Sequence, residues 1–290
     1  MKTNRNERYH SSPLYIVGEV IKTFLIYAIL ISIALLVLVP IVWIVGSAFN
    51  PSSSLMSATA FPKNPTASHY SQLFKETKFA AWYLNTLKIA LINMVISVIL
   101  TMLTSYAFAR FQFKGKKVGL LTILVLQMFP SFMGMMAMYN ILAQFNLLNS
   151  HLGLILTYTA GQIPYNTWLV KGYMGSIPRS LDEAAKLDGA SNTTIFVRII
   201  VPLTKPIITF VAMTQFMAPW MDFIFPRMIL SSDEKKTLAI GLFDMISSDT
   251  NNNFTMFAAG AVLVAVPITI LYVCLQKYLI QGITAGASKS

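Results

Sequence analysis

Apolar residues along this chain gather into long runs, and polar residues gather into the short stretches between them. Six runs are long enough to cross about 30 Å of hydrocarbon at about 1.5 Å per helical residue. They cover approximately Thr23–Phe49, Thr86–Ala109, Val118–Ala143, Leu152–Val170, Pro206–Leu230 and Phe254–Gln276. The expected fold is therefore an all-α membrane protein with six transmembrane helices. One transmembrane domain would occupy residues 23–276, flanked by an arm over 1–22 and a tail over 277–290. The first run is too long for the core of a signal peptide and precedes five more, so it reads as an uncleaved first helix.

Composition supports that picture. The chain is 55% hydrophobic and only 11% charged, where a soluble domain carries about 25% charged residues. Its net charge of +11 would suggest a nucleic-acid partner in a soluble protein, but no basic stripe interleaved with aromatics supports one. The positive charges instead follow the loops. The N-terminal arm holds Lys2, Arg5, Arg8 and Lys22. The second loop holds Arg110, Lys114, Lys116 and Lys117, and the fourth holds Lys171, Arg179, Lys186, Arg198 and Lys205. The third loop has neither Lys nor Arg, and the fifth balances Lys235 and Lys236 with acids. This alternation places both termini in the cytoplasm.

The expected membrane interior is poor in reactive groups. Lys88 and Asp222 fall towards the ends of runs, and no acid lies near the middle of one. Ion-coupled transporters usually carry a titratable group there, and membrane enzymes carry a constellation of them. The single cysteine, Cys274, reads as a small packing residue, and His10, His69 and His151 form no metal-ligand cluster. There is no G-x-x-x-x-G-K-[ST] loop to cradle nucleotide phosphates. Pro130, Gly161, Pro164 and Pro267 are helix breakers inside the runs. The fourth run is also the most polar. Its Tyr158, Gln162, Tyr165 and Asn166 suit either a hydrophilic pathway or hydrogen bonds between helices.

The most informative stretch is the fourth loop, 171–205. Pro178 or Ser180 can start a short helix, Asp182 and Glu183 favour its positive end, and Gly189 can close it. Ser191 can cap a second helix leading to Pro202 and Pro206. Leu181, Ala184, Ala185 and Asp188 fall on neighbouring turns, where the two alanines leave a shallow face. Such a helix either packs on its own spans or receives another protein.

Glu183-Ala184-Ala185, then Gly189, then Ile199 through Pro202, resembles the EAA loop of binding-protein-dependent ABC importer permeases. Asn85-Thr86-Leu87-Lys88 and Tyr106-Ala107-Phe108-Ala109-Arg110 resemble the second span of the same family and the turn after it, whereas Gln127-Met128-Phe129-Pro130, the EAA loop, Thr237 through Leu242 and Gln281 through Gly286 are similar to the maltose/maltodextrin type, specifically its shorter membrane subunit. The resemblance implies the type I importer permease fold. It implies a coupling helix, comprising Leu181, Asp182, Glu183, Ala184, Ala185, Lys186, Asp188 and Gly189, inserted into a cleft on an ATP-binding subunit. It assigns Asp249, Thr250, Asn251, Asn252 and Asn253 to an external loop that touches the sugar-binding protein. It also brings the tail, with Gln281, Gly282 and Gly286, towards the nucleotide-binding interface.

The partners so implied are a second related permease, two ATP-binding cassette subunits, an extracytoplasmic sugar-binding protein and the lipid bilayer, with no nucleic acid. The chain itself would bind no cofactor, leaving ATP and Mg to the partner subunits, and would catalyse no covalent step. The implied location is a bacterial or archaeal cytoplasmic membrane, and the implied cargo a maltodextrin-like sugar. A galacto- or arabino-oligomer is the nearest alternative. An ATPase-independent secondary transporter and a membrane enzyme are the more distant ones.

Overall fold

The structure, a computed structural model of the chain, describes residues 13–53, 59–128, 131–247 and 252–287. Among these residues every regular element is helical. In chain order they are α1 (Pro13–Ser47), α2 (Ser68–Glu76), α3 (Phe79–Arg110), α4 (Lys116–Leu126), α5 (Ser131–Gln144), α6 (His151–Met174), α7 (Ser180–Leu187), α8 (Asn192–Leu203), α9 (Lys205–Met221), α10 (Ile224–Ile229), α11 (Leu238–Ser247) and α12 (Phe254–Ala287).

The helix α3 is the centre of the molecule. It packs along α6 and α9, while α12 lies on α9 and also meets α1, α2 and α11. One side of α3 carries Thr86, Asn93, Ser97, Thr101 and Ser105, all fully buried. Hydroxyls and amides can be buried in a bundle when neighbouring helices satisfy them. Asn93 shows how. Its Nδ2 donates to the Gln215 carbonyl at 2.8 Å and to Gln215 Oε1 at 3.4 Å. Its Oδ1 accepts from Ser97 at 3.2 Å and from Thr159 at 3.1 Å. One side chain thus joins α3, α6 and α9.

Among the described residues three helices are long and apolar enough to cross a membrane: Tyr15–Ser47 within α1, α3, and Phe254–Tyr278 within α12. A fourth candidate is the pair α8 and α9, which bend by 79° where they meet. At 24 residues α6 is long enough to span, but its polar residues dilute its apolar character. Several expected boundaries shift. The third run is divided between α4 and α5, and Pro130 lies outside the described residues. The fifth ends at Met221, because Asp222 takes an extended backbone before α10 begins. Pro164 and Pro267 were expected to break helices, yet both sit inside continuous ones. Each removes only one backbone donor, and the packing of α6 and α12 on their neighbours holds the helix across it. Cys274 is exposed on α12 and is not the packing residue expected.

Candidate functional site

The short helix α7 forms where its local chemistry predicts. Asp182 and Glu183 occupy its first turn and Lys186 its last, each complementing the helix dipole. At the other end Gly189 donates to the Lys186 carbonyl at 3.0 Å and Ala190 donates to the Ala185 carbonyl at 2.9 Å. These paired bonds are the Schellman arrangement, which requires a left-handed residue, and Gly189 supplies it with φ +83°. A side chain there would meet open space, so the requirement for glycine is conformational. Ser191 then caps α8 by accepting from the Thr194 amide at 3.2 Å.

The two faces of α7 differ. Asp182 points inward, with its Oδ2 2.7 Å from Arg110 Nε at the end of α3. Ala185 and Ala190 pack beside it on an apolar cluster formed by Met102, Tyr106, Val170, Met174, Ile195 and Val211. The outward face presents Leu181, Glu183, Ala184, Lys186, Asp188 and Gly189, all exposed, and ends on Leu187, which is 90% exposed. The expected pairing of Ala184 with Ala185 on one shallow face is therefore corrected. The cluster at the ends of α3, α6 and α9 needs a cover, and Ala185 provides part of it. Asp182, likewise, spends its charge on the chain's own Arg110 and not on the outer surface.

Beyond the cap, α8 widens into a π-helical turn over Phe196–Ile200. At its end Thr204 Oγ1 donates to the carbonyls of Ile200 at 2.7 Å and Val201 at 3.1 Å. The Thr204 amide reaches the same two carbonyls, at 2.9 and 3.2 Å, so this one residue closes α8 at the break between Pro202 and Pro206. The bend sets α8 across the end of the bundle and α9 along it.

A second feature is a groove of about 830 Å³ between α4, α5 and α6, lined also by Asp222 and Phe225. Tyr158, Gln162 and Tyr165 line it, together with Met133, Met135 and Met138. Asn166 does not belong to this set. It lies about 100° around the helix from Tyr165, which turns it into the interior, where it is 1% exposed. Asp222 is the residue that sequence reasoning left without a role. Its Oδ2 accepts from the Tyr158 hydroxyl at 2.9 Å, and the Phe225 amide approaches its Oδ1 at 3.4 Å. The available signal was an acid directly after the apolar Pro219-Trp220-Met221.

Two other groups of expected site residues fall elsewhere. Asp249, Thr250 and Asn251 lie outside the described residues, whereas Asn252 is exposed. Asn253 is committed to its own fold: its Oδ1 accepts from the Met256 amide at 2.9 Å and from Thr255 Oγ1 at 3.1 Å, capping α12. Gln281, Gly282 and Gly286 continue α12 as helix, although side chains in that part lie outside the described residues. Among the described residues no cluster of His, Cys, Asp and Glu could hold a metal ion.

Relatives of known type share this sequence over nearly its whole length. The galactooligosaccharides transport system permease protein GanQ of Bacillus subtilis is 43% identical over 276 residues, covering 94% of this chain and 98% of its own. The maltodextrin transport system permease protein MdxG of the same organism is 38% identical over 263 residues, covering 91% and 95%. In three dimensions the chain resembles a crystal structure of a bacterial ABC transporter involved in importing the polysaccharide alginate. The TM-score is 0.79 at 22% identity, with 92% of this chain and 98% of that one covered. That likeness establishes the type I importer permease fold. The family model describes an inner membrane component of a transport system, and both relatives are transport permeases and not enzymes. Residues 97–285, which contain α7, the groove and the Arg110 end of α3, match the model of this family, and the chain belongs to the binding-protein-dependent transport system inner membrane components.

Proposed function

We propose that this chain is the permease subunit of an ATP-driven importer for oligosaccharides, with the exposed face of α7 seated in a cleft on an ATP-binding subunit. The observation that carries this reading is the two-sided character of α7. A short helix held from behind by a buried ion pair and an apolar cluster presents Leu181, Glu183, Ala184, Leu187 and Gly189 to the outside. A helix left free to pack only on its own protein would turn Leu187 inward, because burying a leucine is worth about 2 kcal/mol.

On this reading the positively charged α7 end faces the cytoplasm, and six crossings bring both termini to the same side. A related permease would cover α1, whose most apolar window has none of its residues buried within this chain. An extracytoplasmic binding protein would deliver sugar at the opposite end, near the 247–253 loop. ATP binding draws the ATP-binding subunits together, carries α7 with them, and turns the bundle outward. Hydrolysis resets it. Sugar passes beside the groove, where Tyr158, Gln162 and Tyr165 offer ring faces and an amide.

Relatives at 43% and 38% identity are permeases for galactooligosaccharides and maltodextrins. We place galacto-oligosaccharides first and maltodextrins second as the cargo here. The test is uptake by the complex reconstituted in vesicles with its partner subunits and binding protein, offered a galactotriose and maltotriose in parallel. ATP-dependent accumulation of the first supports the reading, and accumulation of maltotriose alone changes only the cargo. Uptake that persists without ATP would sink the importer assignment.

A further inference from the structure

Seven ion pairs are described, and in six of them at least one side chain is 25% or more exposed. The seventh joins Arg110 to Asp182, whose side chains are 6% and 12% exposed. Arg110 is the last residue of α3, and Asp182 lies in the first turn of α7. The same guanidinium donates from Nη2 to the Ile177 carbonyl at 3.2 Å, just ahead of α7. Arg179 returns the grip by donating to the Ala109 carbonyl at 3.3 Å. The end of α3 and the start of α7 are thus tied at three points.

A buried pair of this kind is a poor source of stability, because desolvation of two charges consumes most of what their attraction supplies. Here part of its bonding capacity is also unspent. The Arg110 Nε–H has no aligned acceptor despite the short contact, and Asp182 Oδ1 accepts no hydrogen bond. Apolar side chains would hold the two helices together at least as well. What the charged pair adds, beside the Arg110–Ile177 and Arg179–Ala109 hydrogen bonds, is position: sliding or rotating α7 relative to α3 would strand a buried charge. Downstream, α3 reaches the Asn93 network, which grips Thr159 of α6 and Gln215 of α9. Thr159 adjoins Tyr158, which lines the groove.

We propose that Arg110 and Asp182 are positioning residues forming a strut that delivers movement of α7 into α3, and through Asn93 to the groove wall. This proposal rests on the importer reading above. Neither residue touches ATP or sugar; each acts through the helices it links. Breaking the strut uncouples the two halves of the machine while leaving each half intact.

The test uses the reconstituted complex carrying Asp182→Asn, Arg110→Gln or Arg110→Lys. Uptake and ATP hydrolysis are measured on the same vesicles and normalised to assembled complex. In Asp182→Asn and Arg110→Gln, hydrolysis continues while sugar moved per ATP falls about tenfold, within the range of coupling changes known for residues linking two sites. Arg110→Lys keeps the charge and restores most of that ratio. If uptake and hydrolysis fall together in proportion to assembled complex, the pair is merely structural and the strut is overturned. An unchanged ratio in all three variants overturns it as well, provided the wild type pumps sugar with ATP. A wild type that moves no sugar with ATP overturns the importer reading first, and the strut with it.

Discussion

The two ends of α3 handle charge in opposite ways. At its Arg110 end one cation meets one anion in a buried contact. At its Phe79 end the charges are partly or wholly exposed and shared: Lys78 bridges Asp233 at 3.0 Å and Glu234 at 2.8 Å, whereas Lys236 bridges Asp233 at 2.9 Å and Asp244 at 2.8 Å. Arg227 adds a second partner to Asp244 at 3.0 Å. An exposed, shared cluster is redundant, since each charge lost leaves its partner with another or with water. A buried one-to-one pair has no such reserve. The Phe79 end therefore rests on something other than charge, namely the packing of Leu73, Phe79, Trp82, Leu238, Leu242 and Met256.

The contrast can be broken most forcefully at Gly241. A Cβ there would fall within the Trp82 ring, so Gly241→Val forces α11 away from α3. Overpacking of this kind costs about 1–3 kcal/mol, and thermal unfolding of the purified complex should shift down accordingly. No change would mean that the Phe79 end is not held by ring packing. Next in size is Asn93→Ala, which strips partners from Ser97, Thr159 and Gln215 at once. Loss of a hydrogen-bonded polar residue inside a membrane bundle costs about 1–2 kcal/mol, read in the same melt. At the Arg110 end, Gly189→Ala places a side chain on a left-handed backbone at a cost of about 1 kcal/mol. The global melt should barely move, because α7 lies at the edge, but uptake should fall. Uptake at the wild-type level would remove α7 from the mechanism.

The smallest effects belong to the exposed cluster. Lys78→Ala should leave the melt unchanged, since Asp233 keeps Lys236. The cluster also responds to acid. Hydrogen bonds from Lys236 and then Lys78 hold the Asp233 carboxyl below its ordinary 3.8, and Lys78 holds Glu234 below its ordinary 4.5. A carboxyl depressed on folding favours the folded state when ionised. Its contribution is present above the ordinary carboxylate value and disappears as pH falls below it through the depressed one. A melt recorded downward from pH 5 should thus be slightly flatter in Asp233→Asn than in the wild type. Equal slopes would show that the cluster contributes nothing.

How far this arrangement was legible in the sequence depended on how local each determinant is. The caps at Gly189 and Ser191 need only the residues around them, and both formed as the pattern predicts. The long apolar helices α1, α3 and α12 are equally plain, because composition over a whole run decides them. The inward turn of Asp182 was not legible, since it depends on Arg110 arriving from another helix. Tyr165 and Asn166 are neighbours of similar polarity, and only the position of α3 decides which faces the groove. The persistence of α6 through Pro164 has the same origin, because tertiary packing outweighed the local signal. Asp222 had no legible role because its partner Tyr158 comes from a different helix.

The most direct test of the central claim asks what lies against the outer face of α7. In a Cys274→Ser background, Ala184→Cys is placed on that face and Glu76→Cys on α2, at the Phe79 end. The assembled complex is then treated with a short thiol-to-amine crosslinker. With α7 seated on an ATP-binding subunit, Ala184→Cys links to that subunit and Glu76→Cys does not. If Glu76→Cys captures the ATP-binding subunit while Ala184→Cys captures nothing, α7 is not the coupling element and the mechanism built on it fails.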